Sequence, residues 1–119
     1  MAKMSPLLTL FVVLLSSMMI HHLPVASSTK WCVASPTAKE KQLQDNITFA
    51  CSQMGVDCRP ILPDGACYNP NTLLSHASYV MNAYYQSHDR TDQACTFFFP
   101  NSGTFTTTNP SYGACVYPS

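Results

Sequence analysis

The longest patterned run of the chain is GACYNPNTLLSHASYVMNAYYQ, from Gly65 to Gln86. Its apolar side chains recur at helical spacing: Leu73, Ala77, Val80 and Tyr84. Asn69 or Asn71 can cap a helix here, and Pro70 is tolerated in or just before a first turn. The run therefore predicts a helix over Thr72–Gln86.

A second stripe on this predicted helix combines one aromatic ring with hydroxyl and amide groups. Its members are Ser75, Tyr79, Asn82 and Gln86. At helical periodicity they fall within about 60° of one another, nearly opposite the apolar stripe. An aromatic face beside hydrogen-bonding groups suits a sugar ring, so these residues are candidate ligand contacts. The alternative is a solvated face, because Ser, Asn and Gln are ordinary surface residues.

Another helix is predicted upstream, over Ala38–Met54. Thr37 and Glu40 have the spacing of a capping box, and Gly55 suits a left-handed stop. Its apolar positions are Leu43, Ile47, Ala50, Cys51 and Met54. Residues 56–71 carry three prolines and a glycine and are expected to form a loop.

Short extended pieces follow the second helix. They are Cys95–Phe99, Thr104–Thr108 and Ala114–Tyr117, separated by turn residues. The predicted fold is a small, disulfide-rich α+β domain with two helices packed on a small antiparallel sheet. Trp31, next to Cys32, is expected to pack on a disulfide.

The N-terminus has the pattern of a cleaved leader. Leu7–Ile20 is an apolar run, but its densest part is far shorter than the roughly 20 residues that span a bilayer. We expect a signal peptide over residues 1–27 and a single domain over 28–119, with an uncleaved anchor as the alternative. The last residues carry no apolar tail for a lipid anchor, so we expect a secreted, unanchored monomer.

All six cysteines lie after the leader, at Cys32, Cys51, Cys58, Cys67, Cys95 and Cys115. In a small secreted domain they indicate three disulfides, although spacing alone leaves many pairings open. No CxxC pair is present and the two histidines after the leader are not at ligand spacing, so we expect neither a metal nor a cofactor.

Charge disfavours several partners. Without the leader, five basic residues face six acidic ones, which gives a net charge of −1. Nucleic acid and anionic membranes are therefore poor partners, and a neutral ligand suits the chain better.

Several local motifs together resemble the X8 domain of plants, also described as carbohydrate-binding module family 43. The motifs are WCVA (31–34), LQDNITFAC (43–51), the Gly65–Gln86 run and TTTNPSYGACVYP (106–118). The resemblance implies two helices on a small sheet and the pairs Cys32–Cys95, Cys51–Cys58 and Cys67–Cys115. It also implies non-catalytic binding of callose-type β-1,3-glucan in the cell wall. The segment CTFFFPNSGTF (95–105) is longer than its usual counterpart, which bears on specificity.

Two other classes of function remain open at this stage. Glycoside hydrolysis needs two carboxyl groups fixed about 5 to 9.5 Å apart, whereas the acidic residues here suit a cap, an exposed helix position and turns. A structural or signalling protein without a glycan ligand would need only the cysteine framework, and an accessory role beside a separate glucanase is also possible. Asn46, in the sequon Asn46–Thr48, is a candidate glycosylation site, with access dependent on its place on the first helix.

Overall fold

Two long helices and a two-stranded sheet organise the residues described by the computed structural model, 29–96 and 100–119. In chain order the elements are β1 (Trp31–Ala34), α1 (Glu40–Cys51), a 3-10 turn (Arg59–Ile61), α2 (Leu73–Ser87), α3 (Gln93–Thr96) and β2 (Gly103–Thr106). The small α+β fold class is thus confirmed. Helix α2 lies at the centre, with α1 packed on one side and β1 on another.

The sheet joins the two ends of the domain. Strand β1 pairs antiparallel with β2, from Trp31 opposite Thr106 to Ala34 opposite Gly103. The sequence pattern predicts no strand at β1. It predicts the second strand over Thr104–Thr108, which begins one residue later and ends two residues later than β2 does. Trp31 is only 6% exposed, so this side chain is packed in the core.

The other two predicted strands differ from the structure. Ala114–Tyr117 forms no strand, and only an isolated bridge joins Tyr112 to Cys115. The first residues of Cys95–Phe99 belong to α3, where the Thr91 hydroxyl accepts a hydrogen bond from the Ala94 amide at 3.2 Å. This local cap favours a helical turn over an extended strand. Phe97–Phe99 lie outside the described residues.

Helix α1 is shorter than predicted at both ends. Its start is set by Gln42, whose Oε1 accepts a hydrogen bond from the Lys39 amide at 2.9 Å. The Thr37 hydroxyl instead pairs with the Ser35 hydroxyl at 3.0 Å, so the predicted Thr37–Glu40 capping box is wrong. The helix ends at Cys51, three residues before Met54, which is exposed.

Helix α2 begins one residue later and ends one residue later than predicted. Thr72 is its cap, because the Thr72 hydroxyl accepts a hydrogen bond from the Ser75 amide at 3.2 Å. Neither Asn69 nor Asn71 fills this role. The Asn69–Pro70 peptide bond just before the cap is cis.

Three disulfides link these elements, with the pairing that the family resemblance implies. Cys32–Cys95 joins β1 to α3, Cys51–Cys58 joins α1 to the following loop, and Cys67–Cys115 joins the residues before α2 to the end of the chain. Two of them close loops with sequence separations of 63 and 48 residues. Such bridges typically stabilise a domain by about 2–4 kcal/mol each.

Candidate functional site

A groove of about 480 Å³ runs between the first turns of α2 and the chain that follows β2. We call residues 108–118 the C-terminal segment. The groove is lined by Val33, Pro70, Thr72, Leu74, Ser75, Ser78, Thr106, Thr108, Asn109, Pro110 and Tyr117. Its two walls therefore come from distant parts of the sequence, which Cys67–Cys115 holds together.

The lining of this groove is uncharged and mostly apolar, with hydroxyl groups among the apolar side chains. Apolar surface predominates and comes from Val33, Pro70, Leu74 and Pro110, while the remaining lining side chains offer hydroxyl or amide groups. Leu74 is 39% exposed, so its side chain is accessible to a ligand. Apolar surface beside hydroxyls matches the chemistry of a pyranose ring, which has C–H faces and a hydroxyl rim.

A short hydrogen-bonded chain fixes the hydroxyls at one end of the groove. The Tyr112 hydroxyl donates to the Asn69 carbonyl at 2.8 Å and lies 3.3 Å from Ser75 Oγ. Because the Tyr112 proton goes to Asn69, Ser75 is the donor in its bond to Tyr112. The lone pairs of Ser75 Oγ remain available, so this oxygen can accept a hydrogen bond from a ligand hydroxyl.

A second hydroxyl, that of Ser78, is oriented by β1. Ser78 Oγ accepts a hydrogen bond from the Ala34 amide at 3.0 Å. Since the oxygen accepts from the backbone, the hydroxyl proton is left for another acceptor. Ser75 and Ser78 therefore present complementary hydrogen-bonding groups one helical turn apart.

The predicted ligand stripe does not share one open face. Ser75 lines the groove, but Tyr79 is 8% exposed and Asn82 is fully buried. Tyr79 packs edge-on against Tyr117, with ring centroids 5.3 Å apart. The expectation that all four residues are open to a ligand is wrong, because β1 and the C-terminal segment cover this side of α2.

The buried part of the stripe instead connects neighbouring elements. Asn82 Oδ1 accepts from the Cys32 amide at 3.2 Å, and Asn82 Nδ2 donates to the Pro118 carbonyl at 2.8 Å. Gln86, which is half-buried, donates from Nε2 to the Lys30 carbonyl at 3.2 Å and to Asn82 Oδ1 at 3.3 Å. These amides fasten both β1 and the C-terminal segment to α2.

Two tyrosines under the groove are held neutral. Burial is the main cause that raises the pKa of Tyr117 to about 12, and burial also raises the pKa of Tyr79 above its usual value. Both phenols therefore keep their protons at physiological pH, and the groove floor carries no charge from them.

The candidate glycosylation site Asn46 is 1% exposed. Its Nδ2, the atom that would carry a glycan, donates to Ser102 Oγ at 3.0 Å and lies 3.6 Å from Met81 Sδ. The folded protein thus offers no access at Asn46, and the expectation of a glycan there conflicts with the structure. Helical position alone could not show this, because Ser102 is 56 residues away in sequence.

Charged side chains are not among the residues that line the groove. Arg59 and Asp57 form an exposed pair at 2.8 Å, and hydrogen bonds from Arg59 lower the pKa of Asp57 to about 2. Among the residues that the structure describes, no cluster of His, Cys, Asp and Glu could hold a metal ion. The same residues include no helix long and apolar enough to cross a membrane.

Sequence reasoning missed the contribution of the C-terminal segment. Tyr112, Tyr117 and Pro110 shape the groove or its hydrogen bonds, yet they lie in a stretch predicted partly as turn and partly as strand. The available signal was the presence of two tyrosines around Cys115, whose disulfide brings them to α2.

Similarity to known proteins indicates the family of this chain. The X8 domain profile matches residues 30–101. A major pollen allergen of Olea europaea, Ole e 10, is 48% identical over 96 residues, which cover 81% of this chain and 76% of the allergen. The plasmodesmata callose-binding protein 5 of Arabidopsis thaliana is 44% identical over 89 residues, covering 75% of this chain and 48% of that protein.

A glucan endo-1,3-beta-D-glucosidase of Olea europaea is 54% identical over 89 residues, covering 75% of this chain. The matched part is only 19% of that glucosidase, so this chain corresponds to one module of it. The profile match covers more than half of the chain, and the allergen match covers most of both proteins. The chain therefore belongs to the X8 domain family.

Proposed function

We propose that this chain is a non-catalytic protein that binds β-1,3-glucan of the callose type in the plant cell wall. The observation that carries the proposal is an uncharged groove of apolar and hydroxyl groups on an X8 chain. Relatives named for callose binding and for 1,3-glucan hydrolysis support this class of ligand.

Within this proposal, Ser75 and Ser78 exchange hydrogen bonds with sugar hydroxyls, and Leu74 contacts the C–H face of a ring. Tyr79, Asn82 and Gln86 belong to the binding function as positioning residues, because they hold the walls of the groove rather than touch the ligand. Modest affinity is expected, since a few contacts must offset the ordering of a flexible polysaccharide.

Binding without hydrolysis is supported by the chemistry of the groove. Hydrolysis by the usual route needs an acid and a second carboxylate on either side of the scissile bond. The residues that line this groove are hydroxyl, amide and apolar side chains. None of them carries a carboxyl group, so the groove itself does not supply the pair of acids that this route requires.

Secretion is part of the same proposal. The signal peptide predicted over residues 1–27 lies outside the described residues, and three disulfides are typical of an oxidising compartment. We propose a monomer in the wall space, and the homologues are plant proteins, among them pollen and plasmodesmal ones.

The proposal is tested by sedimentation of the oxidised protein with insoluble β-1,3-glucan and, in parallel, with cellulose. We expect retention on the β-1,3-glucan only, and no release of reducing ends from a soluble β-1,3-glucan. Failure to bind either polymer would favour a structural or signalling role, and sustained release of reducing ends would indicate an enzyme.

A matched pair of variants tests the groove itself. Leu74→Ala removes an exposed apolar side chain from the groove, whereas Leu62→Ala removes one, 53% exposed, from the loop after the 3-10 turn. We expect Leu74→Ala to weaken glucan retention about five-fold, in line with about 1 kcal/mol for a partly exposed side chain. Leu62→Ala should bind as the unchanged protein does, and equal loss in both variants would place the ligand elsewhere.

A further inference from the structure

The sequon Asn46–Thr48 stands in conflict with the folded domain. Asn46 follows Asp45 on α1, and its side chain points between α2 and the residues before β2. A sequon is ordinarily a surface feature, because the asparagine must carry a bulky polar glycan. Here the acceptor side chain is part of the core.

Both amide protons of Asn46 are directed into the protein. One is donated to Ser102 Oγ at 3.0 Å, and the other polar contact of Nδ2 is Met81 Sδ at 3.6 Å. Ser102 and Met81 are themselves fully buried. Replacing either proton by a sugar would therefore require Ser102 or Met81 to leave its place in the core.

Ser102 also extends the hydrogen bonding between the two strands. Its carbonyl accepts a hydrogen bond from the Ser35 amide at 2.8 Å, immediately beyond the last β1–β2 pair. Displacing Ser102 would thus separate the end of β1 from the start of β2. Since Cys32–Cys95 lies beside this pair of strands, the same displacement would hinder formation of that disulfide.

The order of synthesis makes Asn46 available before these contacts exist. Met81 and Ser102 lie 35 and 56 residues after Asn46, so both reach the secretory lumen after the sequon does. In that interval Asn46 belongs at most to an isolated 12-residue helix, which is marginal in water. The acceptor amide is accessible until α2 and the residues before β2 pack on it.

We propose that N-glycosylation of Asn46 and formation of the native fold are mutually exclusive, so that a glycan on Asn46 marks chains that have not folded. The transfer uses a lipid-linked oligosaccharide pyrophosphate as donor. The bond from sugar C1 to the pyrophosphate oxygen breaks, the bond from C1 to Asn46 Nδ2 forms, and one amide proton is lost as the lipid pyrophosphate leaves. Disulfide formation and glycan transfer then compete for the same newly made chain.

The test is synthesis of the full chain in a secretory system that adds N-glycans, with and without a thiol reductant. Glycosylated and unglycosylated chains are separated on a lectin, and their disulfides are mapped without reduction. We expect the unglycosylated chains made under oxidising conditions to contain all three native pairs. The glycosylated chains should lack Cys32–Cys95, and the reductant should raise their share at least two-fold.

Thr48→Ala provides the matched control. It destroys the sequon but leaves the Asn46 contacts intact, because Thr48 is exposed and its hydroxyl donates to the Gln44 carbonyl at 3.0 Å. We expect this variant to yield no lectin-bound chain and to keep the native pairs. Glycosylated chains with all three native pairs would overturn the proposal, and so would absence of the glycan from chains kept reduced. Neither outcome depends on glucan binding.

Discussion

Polar side chains at the two ends of helix α2 differ in their exposure. At its start, Ser75 lines an open groove and its hydroxyl is held by Tyr112. Near its end, Asn82 lies on the same stripe but is fully buried and bonded to β1 and to the C-terminal segment. The same polar pattern thus lines an open groove at one end and joins elements of the fold at the other.

This difference arises from what covers the helix. β1 and the last residues of the C-terminal segment lie over Asn82, and their amide and carbonyl groups need partners in the core. Around Ser75 the C-terminal segment contacts the helix through Tyr112 and forms a wall of the groove, so Ser75 still lines open space. A polar helix face therefore indicates hydrogen bonding, while the covering elements decide whether the partner is a ligand or the protein itself.

The largest effect should come from Asn82→Ala. The change leaves the Cys32 amide and the Pro118 carbonyl without their buried partner, so we expect a loss of about 3 kcal/mol in the free energy of unfolding. Denaturant titration measures it, with Gln86→Ala, at a half-buried neighbour, as a milder control. If Asn82→Ala left stability unchanged and abolished glucan binding, the contrast between the two ends of α2 would be lost.

A smaller effect is expected at high pH, through Tyr117. Burial raises its pKa to about 12 in the folded protein, whereas an unfolded tyrosine titrates near 10. Its contribution to stability is therefore complete below about pH 10 and is lost as the pH rises toward about 12. The denaturant midpoint should fall more steeply over this interval for the unchanged protein than for Tyr117→Phe. Parallel slopes would mean that Tyr117 is not protected by burial.

The smallest effect on stability is expected from Ser75→Ala. The side chain is at the groove and its bond to Tyr112 is exposed, so the free energy of unfolding should change by less than about 0.5 kcal/mol. Retention on β-1,3-glucan should fall about three- to ten-fold, the usual worth of one hydrogen bond. Unchanged retention would remove Ser75 from the proposed ligand contacts and move the binding surface away from this end of α2.

Local patterns predicted much of the fold. The apolar stripe located α2 to within one residue at each end, and the family motifs carried the disulfide pairing. The errors lie where a distant residue decides the outcome. Thr91 caps a helical turn in a segment whose sequence predicts a strand. β1 is a strand because β2 pairs with it.

The site was less predictable than the fold for the same reason. Helical periodicity correctly placed Ser75 and Asn82 on one stripe, but the burial of Asn82 depends on residues far away in sequence on both sides, at Cys32 and Pro118. Asn82 is bonded to the Pro118 carbonyl and Asn46 to the Ser102 hydroxyl, so both asparagines belong to the core instead of the surface. No helical pattern contains that information, because the contacts cross between separate elements.

Trp31 gives this domain an intrinsic optical reporter. It is the single tryptophan of the sequence, and its buried Nε1 has no hydrogen-bond partner among the described residues. An indole in such apolar surroundings should emit at short wavelength and shift to the red when β1 leaves β2 and water reaches the ring. Val33 and Thr106, which line the groove, are neighbours of Trp31 in the sheet, so this emission is best measured on the ligand-free protein. Fluorescence can therefore follow opening of the sheet while sedimentation follows the groove.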